Sequence, residues 1–146
     1  MRDESKKIRS FIEIREMERH LSQLEIQKID NKLEMLDKDH SDKTSEILDT
    51  ELSYAEFSRT EFNPAMGAIF ANFLNKLERE KIDLQSSISE TESRREVEEE
   101  CWISLNAQLS GLDQQLILSQ KYLKKQTEKL ADDLREQRLI FEGGKL

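Results

Sequence analysis

The chain has 146 residues, a net charge of −8 and nearly equal shares of hydrophobic (36%) and charged (37%) residues. Its single proline and four glycines provide too few turns, and its apolar share is too low, for an ordinary compact globular domain. The negative charge argues against a dedicated nucleic-acid surface. Because the apolar residues recur at regular spacing among good helix formers, the composition favours long exposed helices over disorder.

Compartment and membrane signals are sparse. The single cysteine, Cys101, has no partner within the chain for a disulfide, so nothing points to an oxidising compartment. The sequence MRDESKK at the start leads into no apolar run long enough for a signal peptide or a membrane span. We therefore expect a cytoplasmic protein that does not insert into a membrane.

A first helix is predicted at about residues 3–58, with Asp3 or Ser5 as a possible cap. Its apolar residues fall into two successive registers, Ile14, Met17, Leu21 and Leu24 in the first and Ile26, Ile29, Leu33 and Leu36 in the second. A shift between registers of this kind alters the supercoil locally without ending the helix.

A tip at about residues 59–63 separates this helix from a second one at about residues 64–141. Asn63 is a favourable N-cap, and Pro64 suits the first position of a helix. Gly143 and Gly144 provide a stop signal at the other end.

The second helix has a heptad pattern. One series, in steps of seven, is Leu74, Lys81, Ile88, Arg95, Trp102, Leu109, Leu116, Leu123 and Leu130. The companion series is Phe70, Leu77, Leu84, Thr91, Glu98, Leu105, Leu112, Ser119, Gln126 and Asp133. Together they predict a coiled-coil seam with a polar interruption in the middle.

The short connector favours antiparallel packing of the two helices. The predicted fold is therefore all-α, a single long antiparallel two-helix coiled-coil hairpin over residues 1–146 with a longer second helix. Partners across the seam should have residue numbers that sum to about 122, which places Leu21 beside Trp102. The end of helix 2 then lacks a partner in its own chain, and an apolar stripe without one indicates a binding surface. Its candidate residues are Leu123, Leu130, Leu134, Leu139, Ile140 and Phe141.

Aromatic residues concentrate near the tip, where the chain carries Tyr54, Phe57, Phe62, Phe70 and Phe73. Packing of the tip against itself explains most of these rings. A docking surface is the alternative, because a two-helix tip cannot bury five large rings fully.

Signals for catalysis are weak. His20 and His40 lie far apart on one helix, and neither has the spacing of a metal ligand. Cys101 has no evident base or oxyanion donor near it, and a thin hairpin offers no enclosed pocket. We therefore expect no enzymatic activity, no cofactor and no metal site.

Several residues resemble the FliJ/YscO family, the central stalk proteins of flagellar and virulence type III export machines. Met66-Gly67 followed by Phe73-Leu-Asn-Lys-Leu77-Glu78 is similar to the family's pattern of a Phe three residues before a Leu-Glu pair, just after the tip. Ile14-Arg15-Glu16 looks like a common opening of the family. The overall arrangement, two long helices with a longer second one, is also similar.

This resemblance implies a non-enzymatic subunit whose paired termini enter the hexameric export ATPase, as the γ stalk does in a rotary ATPase. Other surfaces would contact the export gate and the chaperones of secreted substrates. By residue match, only Phe73, Leu77 and Leu84 would contact the gate. The tip aromatics Tyr54, Phe57 and Phe70 join them as candidate partner-binding residues because of their clustering. Tyr54 departs from the family in its spacing to Phe73.

Two functions follow as expectations. The first is a type III export stalk, monomeric when isolated and cytoplasmic at the periphery of a membrane-embedded machine. The second is a structural adaptor or tether that forms homo-oligomers through the unpaired end of helix 2. Both expect protein partners and neither expects nucleic acid.

Overall fold

A computed structural model describes residues 2–60 and 63–143 of the chain. It contains two helices, α1 at Arg2–Thr60 and α2 at Pro64–Gly143, and they pack against each other without any strand among the described residues. This confirms the predicted all-α hairpin with a longer second helix, 80 residues against 59. The predicted helix bounds agree with these to within about two residues.

The turn is fixed by the cap that the sequence predicts. The backbone N–H of Ala65 donates to Oδ1 of Asn63 at 3.0 Å, and the N–H of Gly67 donates to the carbonyl oxygen of Asn63 at 3.0 Å. The carbonyl of Asn63 thus accepts the first intrahelical bond of α2, and its side chain satisfies one of the N–H groups that every helix leaves open at its start. Pro64 follows at the first helical position, where its missing N–H costs nothing.

The structure divides into two compact units, each containing part of both helices. The tip unit comprises Ser22–Glu100. The terminal unit comprises the residues up to Leu21 together with the residues from Cys101 onward. Both helices run antiparallel within each unit, because residues that advance along α1 meet residues that recede along α2.

The tip unit is held by a narrow seam. Its buried apolar residues are Ile29, Ile47 and Leu77, and Leu77 is only 2% exposed. Polar residues share this seam: the hydroxyl of Ser22 donates to Glu98 at 2.8 Å, and Nε of Arg95 donates to Asp30 at 2.5 Å. The buried Thr91 hydroxyl donates to the carbonyl of Ser87 at 2.7 Å, so its burial leaves no open donor.

The terminal unit is built in the same way. Leu105 and Leu109 of α2 are its buried apolar residues. Arg19 donates to the side-chain oxygen of Asn106 at 3.0 Å, and the hydroxyls of Ser5 and Ser119 lie 3.1 Å apart. Trp102 is half-buried, and its Nε1 has no hydrogen-bond partner among the described residues.

From Phe70 to Leu123 the seam face of α2 follows the predicted heptads, since every member of both series in this range is buried or half-buried. The last members of the series, Gln126, Leu130 and Asp133, are exposed. Of the two registers predicted for α1, the second is confirmed and the first is wrong. One register continues along the helix, with buried or half-buried residues at Ile8, Ile12, Arg15, Arg19, Ser22, Ile26, Ile29, Leu33 and Leu36. The residues of the predicted first register are instead exposed by 52% (Ile14), 68% (Met17), 59% (Leu21) and 41% (Leu24).

The reason is that the polar residues Arg15, Arg19 and Ser22 have partners at the seam. Arg15 binds Glu18 on its own helix at 2.9 Å, while Arg19 and Ser22 reach α2. Because these polar groups are satisfied, α1 keeps a constant heptad repeat and needs no local change in winding. Leu21 consequently does not enter the seam beside Trp102.

The burial of Leu77 predicts that Leu77→Ala lowers the free energy of unfolding by about 2 kcal/mol or more, because it removes a fully packed side chain. Chemical denaturation followed by circular dichroism measures the change. Ile82→Ala is the matched control, since Ile82 is 59% exposed on the same helix and should change stability by less than about 0.5 kcal/mol. Equal effects of the two variants would contradict the seam described here.

Candidate protein interaction surfaces

The last part of α2 is exposed on all sides. We call residues 124–143 the C-terminal segment, and every one of them is exposed. In the terminal unit, Ser5 lies opposite Ser119, so the first described residue of α1 is level with about residue 122 of α2. The segment therefore extends about 30 Å past the part of α2 that α1 covers.

The residues predicted as a binding surface lie in or next to this segment. Leu123 is half-buried, at the end of the seam. The others are exposed by 64% (Leu130), 59% (Leu134), 65% (Leu139), 75% (Ile140) and 67% (Phe141). Large apolar side chains at this density and exposure are typical of a surface that another protein covers.

These side chains do not share one face. Leu130 and Leu134 are one turn apart and lie on the same side of the helix. Leu139 follows Leu130 by nine residues, two and a half turns, and so lies on the opposite side. The segment also has five basic and five acidic residues, in contrast to the acidic chain as a whole. A partner would therefore meet apolar groups on more than one side.

The tip aromatics pack mainly on each other. The ring centroids of Tyr54 and Phe70 are 5.2 Å apart, and those of Phe57 and Phe70 are 6.2 Å apart, both pairs with tilted planes. All three side chains are half-buried. Tyr54 also lies over Gly67, where a Cβ would meet its hydroxyl at 3.4 Å. These contacts support the self-packing explanation for the three rings, and Phe62 lies outside the described residues.

The remaining residues predicted for the gate side differ in accessibility. Phe73 is 42% exposed and is the most accessible of them. Leu77 is buried in the seam and Leu84 is half-buried there. Leu77 therefore has no accessible surface for a partner while the hairpin is closed, and we assign it to the core of the tip unit.

An acidic groove lies between the helices of the tip unit. It is lined by Asp39, Asp42, Lys43, Glu46, Glu80, Asp83, Leu84 and Ser87. Lys43 bridges it, binding Glu80 of α2 closely and Glu46 of its own helix at 3.5 Å. The hydrogen bond to Glu80 raises the pKa of Lys43, and the same bond lowers the pKa of Glu80.

No cluster of His, Cys, Asp or Glu in the described part of the chain could hold a metal ion.

Sequence reasoning missed one surface. Ile14, Met17 and Leu21, assigned to the seam from sequence, form an exposed apolar stripe that we call the outer stripe of α1. The signal that distinguishes the two faces is Ile8 and Ile12, which stand in the same heptad register as Ile26 and Ile29.

Among the described residues, neither helix contains a stretch apolar and long enough to cross a bilayer. No protein-family model, no curated protein and no solved structure matches the chain.

The lowered pKa of Glu80 predicts how the stability that its ion pair with Lys43 gives the fold changes with pH. A carboxylate with a lowered pKa stabilises the fold above its unfolded pKa, about 4.3, and loses this effect as the pH falls through the lower folded value. The difference in melting temperature between the native chain and Glu80→Gln should thus be largest near neutral pH and disappear in strong acid.

Thermal melts at a series of pH values measure this difference. Glu78→Gln is the matched control, because Glu78 is an exposed carboxylate on the same helix outside the groove. A difference for Glu80→Gln that stays constant from neutral to acidic pH would contradict the role given to this ion pair.

Proposed function

We propose that this chain is a non-enzymatic protein-interaction subunit, the central stalk of a bacterial type III export apparatus. The terminal unit would bind the hexameric export ATPase. Surfaces of the tip unit, including Phe73, the most accessible of the predicted gate-side residues, would contact the export gate or secretion chaperones. The protein would act in the cytoplasm beside the membrane-embedded machine, in either a flagellar or a virulence system.

One observation carries the proposal: the C-terminal segment exposes apolar side chains on opposite sides of a single helix. Leu130 and Leu139 point in opposite directions, so a flat surface would cover only one of them. A ring of subunits around the helix covers both. Burying a large apolar side chain stabilises a complex by about 1.5–3 kcal/mol. A partner that covered only one side of the segment would therefore gain less binding free energy than a ring that encloses it.

The charges of the C-terminal segment are also suited to such an environment. Its basic and acidic residues are interspersed, for example Lys129 among Glu128, Asp132 and Asp133. Interspersed charges can pair with a mixed protein surface, whereas a membrane or nucleic acid would favour a clear excess of basic residues. The resemblance to FliJ/YscO proteins supports an export ATPase as the ring.

The proposal predicts that a chain ending after Leu123 stays folded but no longer binds the export ATPase of its own genome. The described residues that the deletion removes are all exposed, so the melting temperature should change little. Pulldown with the purified ATPase, together with the stimulation of ATP hydrolysis, measures binding. Ile103→Glu is the control: it alters an exposed apolar residue of the terminal unit outside the segment and should leave binding intact.

If the truncated chain still binds and stimulates the ATPase, the C-terminal segment is not the binding site. If the full-length chain does not bind the ATPase, the proposed stalk function is wrong.

The second candidate function is a coiled-coil adaptor or tether that self-associates through the C-terminal segment. The same exposed leucines favour it, because two such segments, each balanced in charge, can cover each other. A chain that remains monomeric at micromolar concentration would contradict this function and leave the stalk standing.

A further inference from the structure

The side of α2 that faces away from α1 in the terminal unit is poor in charge. Among residues 101–120, Asp113 is the only charged residue, in a chain of which 37% is charged. Large apolar side chains lie on this side: Ile103 is exposed by 57%, Ile117 by 51% and Leu118 by 65%. The centres of protein interfaces are depleted in charged residues, whereas a helix face that stays in water is normally rich in them. This composition indicates a surface that a protein partner covers.

These side chains occupy the heptad positions opposite the seam. Leu105 and Leu109 are buried in the seam, and the positions halfway round the helix from them repeat every seven residues. We call these positions the outer face of α2, and all of its residues are exposed. It includes Ile103, Ala107, Gly111, Gln114, Ile117 and Leu118. A Cβ at Gly111 would meet no neighbouring group within 4 Å, so the space outside this face is open.

The charges at the two ends of the outer face have opposite signs. Glu96 and Glu100 precede it on α2, Lys121 and Lys124 follow it, and all four are exposed. Glu100 and Lys121 are three heptads apart, and Glu96 and Lys124 are four heptads apart, so each pair shares one side of the helix. The midpoint of either pair lies at Ser110–Gly111. The outer face is therefore acidic at one end, uncharged in the middle and basic at the other end.

A face whose charge reverses about its centre is complementary to a second copy of itself in antiparallel orientation. With a two-fold axis at Ser110–Gly111, Glu100 faces Lys121 of the second copy, and Glu96 faces Lys124. The same axis repeats both pairs at the other end of the contact. A parallel pair would instead place Glu100 beside Glu100 and Lys121 beside Lys121, where like charges repel.

The uncharged residues match about the same axis. Ile103 lies beside Ile117 of the second copy, so these exposed isoleucines cover each other. The small side chain of Ala107 faces the longer one of Gln114. Gly111 meets Gly111 next to the axis, where the missing side chain lets the two helices approach closely.

The second copy has room beside the terminal unit. Because α1 packs on the seam side of α2, a partner on the outer face lies on the opposite side of α2 from α1. In cross-section the four helices then follow the order α1, α2, α2, α1. The charge match ends beyond Lys124, since Glu90 would face Asp132. The contact therefore extends from Glu96 to Lys124, about 42 Å along each helix.

We propose that the chain forms an antiparallel homodimer through the outer face of α2. The uncharged middle of the face supplies the apolar burial. The two ion pairs at each end fix the orientation, because exposed ion pairs contribute little stability but distinguish one arrangement from another. The inference goes beyond both candidate functions, since this contact needs none of the apolar residues of the C-terminal segment.

Charge-swap variants of the full-length chain test the arrangement by sedimentation equilibrium. We expect a dimer at micromolar concentration. Glu100→Lys and Lys121→Glu should each raise its Kd by about tenfold or more, because like charges then meet at both ends of the contact. The double variant restores opposite charges at both ends, and its Kd should return to within about threefold of the native value.

Leu130→Glu is the matched control for these variants. Leu130 is exposed by 64% on the same helix but lies outside the contact, so its substitution should leave the Kd unchanged. A dimer that Leu130→Glu weakens, and whose Kd the double charge swap does not restore, would overturn this arrangement in favour of the tether. A monomer would overturn both the dimer and the tether and leave the stalk standing.

Disulfide trapping measures the orientation directly. In a Cys101→Ser background, Ala107→Cys protein is mixed with Gln114→Cys protein under mild oxidation, and cross-linked peptides are identified by mass spectrometry. Each variant has one cysteine, so every disulfide joins two copies. We expect the disulfide between positions 107 and 114 to dominate. Leu130→Cys in place of Gln114→Cys is the control and should give no mixed disulfide above background. Disulfides that join position 107 to position 107 would indicate a parallel pair and overturn the proposal.

Discussion

The two-helix seam is the interaction on which the rest of this molecule depends. Each helix has only one neighbour, so one stripe of each can be buried and every other face stays in water. The buried apolar side chains among the described residues are accordingly few, Ile29, Ile47, Leu77, Leu105 and Leu109. Polar pairs such as Arg95 with Asp30 and Ser22 with Glu98 fill positions between them. These directional contacts favour one register, which apolar contacts alone would specify less strictly.

This limit on burial explains why apolar residues outside the seam carry the functional argument. In a globular domain, a second apolar stripe on a helix would pack on a third element. Among the described residues, the stripe at Ile14, Met17 and Leu21 and the leucines at 130, 134 and 139 have no third element to pack on. Their exposure is a property of the architecture, and it leaves these side chains available to a protein partner.

Much of this fold could be predicted from sequence because the strongest signals are local. Asn63-Pro64 sets the turn through its cap, and the heptads from Phe70 to Leu123 set the seam face of α2. The register was predicted correctly from Ile26 onward but not in the first part of α1, because the seam there includes Arg15, Arg19 and Ser22 while a more hydrophobic stripe lies on the other face. The register of Ile8 and Ile12 with Ile26 and Ile29 marks the buried face in the sequence, but the hydrogen-bond partners on α2 that accommodate Arg19 and Ser22, Asn106 and Glu98, become visible only in three dimensions.

The candidate surfaces also differ in how far the sequence alone could predict them. The C-terminal segment was predictable from helix lengths alone, since a longer arm must extend past a shorter one. The burial of Leu77 and the mutual packing of Tyr54, Phe57 and Phe70 depend on cross-helix geometry, which a list of aromatic and leucine positions does not contain. The family resemblance is equally local, and it remains the basis for the identity of the proposed partner.

The cap at Asn63 also has a consequence for how the chain folds. Partners close to the turn, such as Tyr54 and Phe70, are near in sequence, whereas Ser5 and Ser119 are 114 residues apart. The entropy lost in closing a loop grows with its length, so the contacts beside the turn are the least costly to form first. Each pair that forms shortens the loop for the next one. Folding should accordingly proceed as a zipper that starts at the turn, with the chain ends joining last.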